Sequence, residues 1–506
     1  MAISVLKQTL EIEKLVGARQ GQALLRAEAL VPGAGREAIE VLLADANLTL
    51  GNVEVQKDRV VLEGVASCQA VYRQGEESAL RALAAQATLS HVFEVAGAQP
   101  QMPCRALGEV EHVEAKYENG HMVFLVSVGI RVQVLSLEQQ EVVTGLEGVE
   151  NLETDSEQIR SVCLAAEASA SALLTEEIDL PAALDARVAL MDWATVVVDS
   201  VKPDLGGVKV AGKVNVEALI ASGVTGRPVA LIKYPMAFER LVEMPDWLAQ
   251  NVFATASVSR LVTRVDQGED GEDAALEIEA ELEIRVQSAV ENAVEALTDA
   301  YTTSGPSLVI QKEEIKPCVQ IERQVLTDTF RGTLLLPENA PGVGTVLAVR
   351  VRPVIGGWGV EEETSTIDGV LEATVLYMPG GSDRVASARS EMPFSISYPG
   401  PLTGQSWVTV EAISAEASAL MSDRLELKVS FLTKGETRVL QTYEILSSVE
   451  EGEDVKKRPG ILLFWPGEKD DVWSIGKRYN IPISAVREMN GGSDNIQKGK
   501  AMMLKI

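Results

Sequence analysis

The chain has 506 residues, a formal net charge of −29, 46% apolar residues and only 4% aromatics. That length predicts three or four domains with ample apolar material for buried cores. A surface so acidic repels polyanions, which disfavours nucleic acid and anionic membrane as partners.

Residues 1–140 read as the first of three related segments. The N-terminal run is interrupted by charges and lacks a small-residue cleavage site, so no signal peptide is expected. No stretch approaches the roughly 18 apolar residues of a spanning helix, so no membrane insertion is expected and the cytosol is the expected compartment. The marker of the segment is the stretch 61–72, in which Tyr72 follows Gly64 by eight positions. Weaker versions recur with Gly212 followed by Ile220 and with Gly369 followed by Tyr377. A proline precedes each glycine by 32, 31 and 32 positions, at Pro32, Pro181 and Pro337, and a phenylalanine follows by 29, 26 and 25, at Phe93, Phe238 and Phe394. Successive glycines lie 148 and 157 residues apart, which is too long for a solenoid repeat and suits a whole domain.

Within the first segment, residues 36–46 taken alone look helical, with Ile39, Leu42 and Leu43 at helical spacing. The matching stretch 346–354 is β-branched and alternates, so the repeat argues for strand in both. Val126, Val128, Ile130, Val132 and Val134 share one face of a later strand. Residues 150–175 follow, with Ser156 as N-cap candidate and an Ala-rich run; a helix or a loosely ordered connector is expected there.

The second segment covers 150–304. Residues 276–286 alternate apolar and polar without a break, which needs one buried and one wet face, as in an antiparallel sheet. The acidic loop 267–273 precedes them, and the Ala-Glu run 288–297 offers a helix. The third segment, 305–447, repeats the alternation with Leu425, Leu427, Val429 and Phe431 on one face. Residues 448–459 pass from acidic to basic and read as a charged linker. Short strands with Gly and Pro punctuation make the fold class mainly β: three repeated β-sandwich or barrel-like domains, then a small β-α-α-β unit at 460–506. An α+β unit is the alternative for each repeat.

The last piece differs in charge. Residues 456–506 hold ten Lys or Arg against five Asp or Glu, a net of +5, so the total of −29 leaves −34 on the residues before them. Here an apolar strand at 461–465 is followed by a helix capped by Asp470 or Asp471 with Val472, Ile475 and Tyr479 inward. A second helix follows, capped by Ser484, with Val486 and Met489 inward. A strand ending at Ile506 closes the unit. Trp465 and Trp473 are two of the six tryptophans; one is expected in the core and the other as an exposed hot spot for a partner.

This order of Val-Trp473-Ser-Ile, Lys-Arg-Tyr479-Asn-Ile-Pro, Met489-Asn490, Ile496 and Lys-Gly499 resembles the LysM domain. The resemblance implies a shallow groove for N-acetylglucosamine glycans or a protein partner, formed by Gly467, Asp470, Asp471, Met489, Asn490, Asn495 and Ile496. Two features depart from the family pattern: Glu468-Lys469 in the first loop, and Gly476 where an alanine is customary. Three acidic repeats with Met392-Pro-Phe394 as the best-kept signature, followed by one such unit, resemble the SipL-type spore coat morphogenetic proteins, whose repeat is the SPOCS domain. That resemblance implies a mother-cell protein at the forespore surface, recruiting coat layers by binding a coat morphogenetic protein such as the coat ATPase SpoIVA. The alternative is a peptidoglycan-binding protein targeted to cortex or cell wall.

Other candidates read as structural. Glycines 64, 212 and 369 are expected at bulges or close backbone contacts, and Tyr72, Tyr377 and the three phenylalanines as core anchors. His91, His112 and His121 lack convergent partners in sequence, and Cys68, Cys104, Cys163 and Cys318 lack the spacing of a zinc site or a disulfide framework. No catalytic or cofactor motif is present, so the expectation is a non-enzyme without cofactor or metal.

Overall fold

The computed structural model describes residues 3–33, 38–75, 79–267, 274–338, 340–455, 460–468, 470–496, 499 and 501–505. The acidic loop 268–273, linker residues 456–459 and Lys469 lie outside the described residues.

The chain is mainly β and repeats one topology. In the first unit, β1 (Ser4–Leu30), β6 (His121–Glu147) and β5 (Cys104–Glu118) make one antiparallel sheet. The meander β2 (Ile39–Gln56), β3 (Arg59–Gln74) and β4 (Leu80–Glu94) makes the facing one. The second unit does the same with β7 (Leu152–Leu180), β12 (Ala274–Thr302) and β11 (Val252–Gln267) against β8 (Ala186–Asp204), β9 (Gly207–Ser222) and β10 (Val229–Glu243). In the third, the long outer strands are each interrupted. β13 (Pro306–Ile315) pairs with β20 (Tyr443–Asp454), and β14 (Cys318–Leu335) with β19 (Arg424–Leu440), which also pairs with β18 (Trp407–Met421). Its meander is β15 (Val343–Glu361), β16 (Thr364–Pro379) and β17 (Ala386–Pro399). Each sandwich encloses its own core, with Val126 to Val134, Leu276 to Val286 and Leu425 to Phe431 supplying the alternating apolar faces.

The alternation decides several elements against local propensity. Residues 152–180 are strand, not the helix or loose connector the Ala-rich run suggests: Ala166, Ala168, Ala170 and Ala172 share one face and pack on the second core. Residues 288–297 likewise continue β12 instead of forming a helix, pairing Ala289↔Leu164 through Leu297↔Ser156. Ladder pairing between β7 and β12, together with burial of the alternating apolar face, outweighs the modest helix preference of alanine. β2 is strand from Ile39, as the comparison between copies indicates. The acidic residues up to Asp454, read from sequence as linker, prolong β20, with Asp454 opposite Pro306.

The marker glycines sit where the backbone is crowded. A side chain at Gly212 or Gly369 would strike the carbonyl of Val197 or Val354 and the ring of Phe238 or Phe394, which lies directly across the ladder. In the first unit Leu89 faces Gly64, and Phe93 pairs with Val60 instead, so the phenylalanine spacing there marks a different position. Tyr72 and Tyr377 are fully buried, and Tyr377 donates to the Pro341 carbonyl at 2.8 Å.

The outer halves of the three long ribbons leave their own sandwiches and pack together. Leu10 and Val142, Ile159 and Ala296, Ile315 and Ile445 form one apolar layer, and Val143, Leu297 and Leu446 the next. These occupy matching ladder positions in the three copies, and each ribbon carries a bulge just beyond, at Thr144, Thr298 and Ser447. The meander sheets meet in a second three-way core of Leu42, Leu43, Leu190, Met191, Ala348 and Leu376. Three units in one chain are thus arranged with approximate threefold symmetry.

Candidate interaction site

The C-terminal unit is built from β21 (Ile461–Phe464), α1 (Val472–Tyr479), α2 (Ile483–Met489) and β22 (Met502–Lys505), with β21 and β22 antiparallel. Its small core gathers Val472, Ile475, Ile481, Val486, Ile496 and Leu504. Asp471 caps α1: its side chain accepts from the Ser474 amide at 2.7 Å while the Ser474 hydroxyl accepts from the Asp471 amide. α2 starts two residues earlier than the sequence suggests, with Pro482 before Ile483, so Ser484 lies inside the helix and is not its cap.

Six of the eight residues singled out from sequence, with Asp471 among them, lie on two neighbouring loops, and Met489 closes α2 beside the second. In the first, Asp470 accepts from the Gly467 amide at 2.8 Å and from Arg478 at 2.7 Å. The Gly467 amide, then Arg478, holds the Asp470 carboxyl below its ordinary range. In the second, Asn490 donates to the Ser493 and Asn495 carbonyls, Ile496 is buried, and Met489 sulfur receives the Lys505 amide at 3.2 Å. The Gly499 amide joins the loops by donating to the Pro466 carbonyl at 2.9 Å. Asp471, at the start of α1, continues the first loop. Lys498 and Lys500 lie outside the described residues.

Trp473 is separated from this group. It faces the second unit, where its Nε1 donates to Asp299 at 2.9 Å and its ring meets Tyr301 edge-on at 5.1 Å between centroids. Lys477 also pairs with Asp299, Asn480 donates to the Thr302 carbonyl at 2.9 Å, and the Tyr301 hydroxyl donates to the Ile481 carbonyl at 2.7 Å. Burial alone would raise the Asp299 carboxyl, but the bonds from Lys477 and Trp473 hold it below its ordinary value. A Cβ on Gly476 would collide with the Tyr301 hydroxyl, which gives the departure from the usual alanine a physical cause. Neither tryptophan belongs to the unit's own core: Trp473 is half-buried against the body and Trp465 is exposed. The body's share of this contact, Glu153, Asp299, Tyr301 and Thr302, has no sequence signal beyond the glycine.

The body itself is tied by charge. Glu13 of the first unit accepts from Arg438 of the third at 2.7 Å and from the Leu164 amide of the second at 3.2 Å. Glu436 receives Arg323 at 2.9 Å, Arg438 at 3.2 Å and Arg105. His112 approaches Glu372 at 2.5 Å with Glu391 nearby, a grouping of metal-ligand types. Arg389 lies 2.7 Å from Glu372 and 2.8 Å from the His112 ring nitrogen, so a cation already fills that place. Burial pushes the thiols of Cys68, Cys104 and Cys318 up to about 11, which keeps them protonated and unreactive. A narrow cleft between the second and third units, lined by Trp193, Asn215, Arg350 and Ser414, has room for little more than a water.

Residues 37–118 match the family model for the SipL SPOCS domain. The match runs over β2 to β5 of the first unit and points to a sporulation-associated protein; the matched family is not a known enzyme family. No curated protein and no solved structure matches the chain. Among the described residues, no helix is long and apolar enough to cross a membrane.

Proposed function

We propose that this is a non-catalytic assembly protein of the spore coat, in which three SPOCS-like units form a scaffold and the C-terminal LysM-like unit is the interaction module. The observation that carries the reading is the reach of the matched segment. Residues 37–118 comprise the meander and the next strand of one unit, and the same four strands in the same sheet order recur from Ala186 to Gln267 and from Val343 to Met421. Threefold burial of the arms explains why three copies are joined: no single ribbon could cover Leu10, Ile159 or Ile315 by itself.

The partner in this reading is a coat morphogenetic protein such as the coat ATPase SpoIVA, met on the mother-cell side of the forespore surface. The two loops carrying Gly467, Asp470, Met489 and Asn490 lie apart from the residues that dock on the body, so the docked unit can still meet a partner through them. Trp473 acts from the other side, by fixing the unit in place. A pull-down of the coat ATPase with full-length protein tests this: wild type should retain it, and Met489→Lys should weaken retention at least tenfold. Retention unaffected by Met489→Lys and by removal of residues 456–506 would assign binding elsewhere. Sedimentation of the full chain with peptidoglycan, lost with Asn490→Ala, would assign the groove to glycan.

A further inference from the structure

We infer that the second unit carries a docking site for the C-terminal unit of another copy of this chain, independently of the coat-assembly reading. The site is the shoulder where the β8–β9 turn meets the β10–β11 loop. Leu205 and Trp247 stand there 88% and 71% exposed, each two residues from an exposed proline, Pro203 and Pro245. Such display is not looseness. The Gly206 amide donates to Asp246 Oδ1 at 3.1 Å, the Met244 amide to the Gly206 carbonyl at 3.2 Å, and the Ser288 hydroxyl to the Leu248 carbonyl at 2.6 Å. Met244, Leu248 and Ala249 are buried beneath. A tryptophan held out on an ordered loop loses little freedom on binding, as hot-spot residues require. The equivalent turns of the other units present Lys57-Asp58 and Glu362-Glu363 instead.

Charge selects the occupant. The exposed charges around the shoulder are the carboxylates of Asp204, Glu243 and Asp246 against Lys202, so its balance is acidic and its partner must join apolar surface to positive charge. The C-terminal unit has both. On β21 the inward residues Leu462 and Phe464 cover the core, and the outward ones do not. Ile461, Leu463 and Trp465 are 74%, 55% and 59% exposed, with Met503 opposite Leu463 at 61% and exposed Lys505 opposite Ile461. This is the face away from the helices, distinct from both the groove loops and the docked Trp473. The unit's net charge is +5 on a chain otherwise at −34.

One molecule cannot satisfy both faces. The shoulder is bonded at Ser288 and the C-terminal unit at Tyr301, thirteen residues further along β12, or roughly 40 Å of strand. The contact is therefore made between copies, with two unlike surfaces meeting.

Full-length protein is followed by sedimentation velocity over a range of concentrations at low and high salt. Wild type should self-associate with concentration, and more weakly at high salt. Trp247→Ser and Trp465→Ser should each remain monomeric at least tenfold beyond the wild-type association range. Both residues are exposed, and unchanged thermal unfolding will show that neither variant is misfolded. Mixed in equal amounts, the two variants should form a dimer, because each retains the face the other lacks. A wild type that stays monomeric throughout, variants that associate like wild type, or a mixture that stays monomeric would each overturn the inference.

Discussion

Asp45 Oδ2 accepts from Arg350 Nε at 2.6 Å, and the two residues hold the same ladder position in the first and third units. Asp45 pairs with Gln69, five residues beyond Gly64; Arg350 pairs with Thr374, five beyond Gly369. The corresponding residue of the second unit is Trp193, opposite Glu217, and the Arg350 guanidinium lies 5.3 Å from its ring centroid. The same ladder position in the three units thus carries three different side chains that meet: an anion, a cation and an aromatic ring. A symmetric trimer would place three identical groups there, and three aspartates would repel. Fusion into one chain permits each copy to diverge and the centre to be charge-matched.

Removing the anion tests that centre. Asp45 also receives Arg352, and both cations reach it from the third unit. Asp45→Ala removes the counter-charge the two share and leaves Arg352 only Glu372 at 3.7 Å; the expected loss is about 3 kcal/mol in urea unfolding, the lower end for breaking one side of a buried pair. Burial would raise the Asp45 carboxyl, yet Arg350 and Arg352 hold it below its ordinary 3.8. Its contribution is therefore present above that value and lost as pH falls through the lower folded one. Wild type should lose stability on acidification below about pH 4, and the variant should lose less over the same interval.

How much of this was legible varies with the range of the interaction. The alternation of 276–286 shows as strand because each residue's neighbours on the ladder face settle its burial. Ala166 to Ala172 alternate too, but alanine is small enough to suit a helix as well, and only the pairing with 282–288 decides. The marker spacing exposed three related segments, and it misaligned Phe93 because Leu89 had taken the place across from Gly64. The threefold centre left no local trace: Asp45 and Arg350 are 305 positions apart and no longer alike. At the candidate site, loop residues such as Asp470 and Asn490 follow from a resemblance between motifs, whereas Asp299 and Tyr301 belong to another unit and become visible only when the two meet.

Two glycines of the third unit separate crowding from freedom. A Cβ at Gly369 meets the Val354 carbonyl and the Phe394 ring, while one at Gly357 has nothing within 4 Å. Gly369→Ala should cost about 1–3 kcal/mol through forced displacement of backbone. Gly357→Ala should stay within about 0.5 kcal/mol of wild type. Chemical denaturation of both variants measures the difference, and equal costs would show that the close approach at Gly369 relaxes freely.

Gly476→Ala should disturb the docking of the C-terminal unit more than its fold. The added methyl meets the Tyr301 hydroxyl across the contact and, less severely, Ile483 within the unit. Tyr301→Phe removes the obstructing oxygen along with its bond to Ile481. The pair should therefore couple: the double variant is expected to dock better than the sum of the single losses predicts. Hydrogen exchange at the amides of α1 reports docking in all four proteins, and simple additivity would place the strain inside the unit.

The contact at Asp299 should behave as a hinge-side latch. It gathers the Trp473 indole, Lys477 and the Ala300 amide on one carboxylate, and Asp299→Ala removes three partners at once. Hydrogen bonds to a charged group contribute about 1.5–3 kcal/mol each when one partner is deleted, and the partly exposed Lys477 argues for the lower end. The C-terminal unit should then spend more time undocked, and limited proteolysis between 455 and 460 should quicken several-fold while the three β units resist. Because Lys477 and Trp473 hold the Asp299 carboxyl below 3.8, its contribution to docking is fully present above that value and is lost as pH falls through the lower folded one. Cleavage of wild type should accordingly be flat from pH 5 to 8; a rise within that interval would mean that a different group governs the latch.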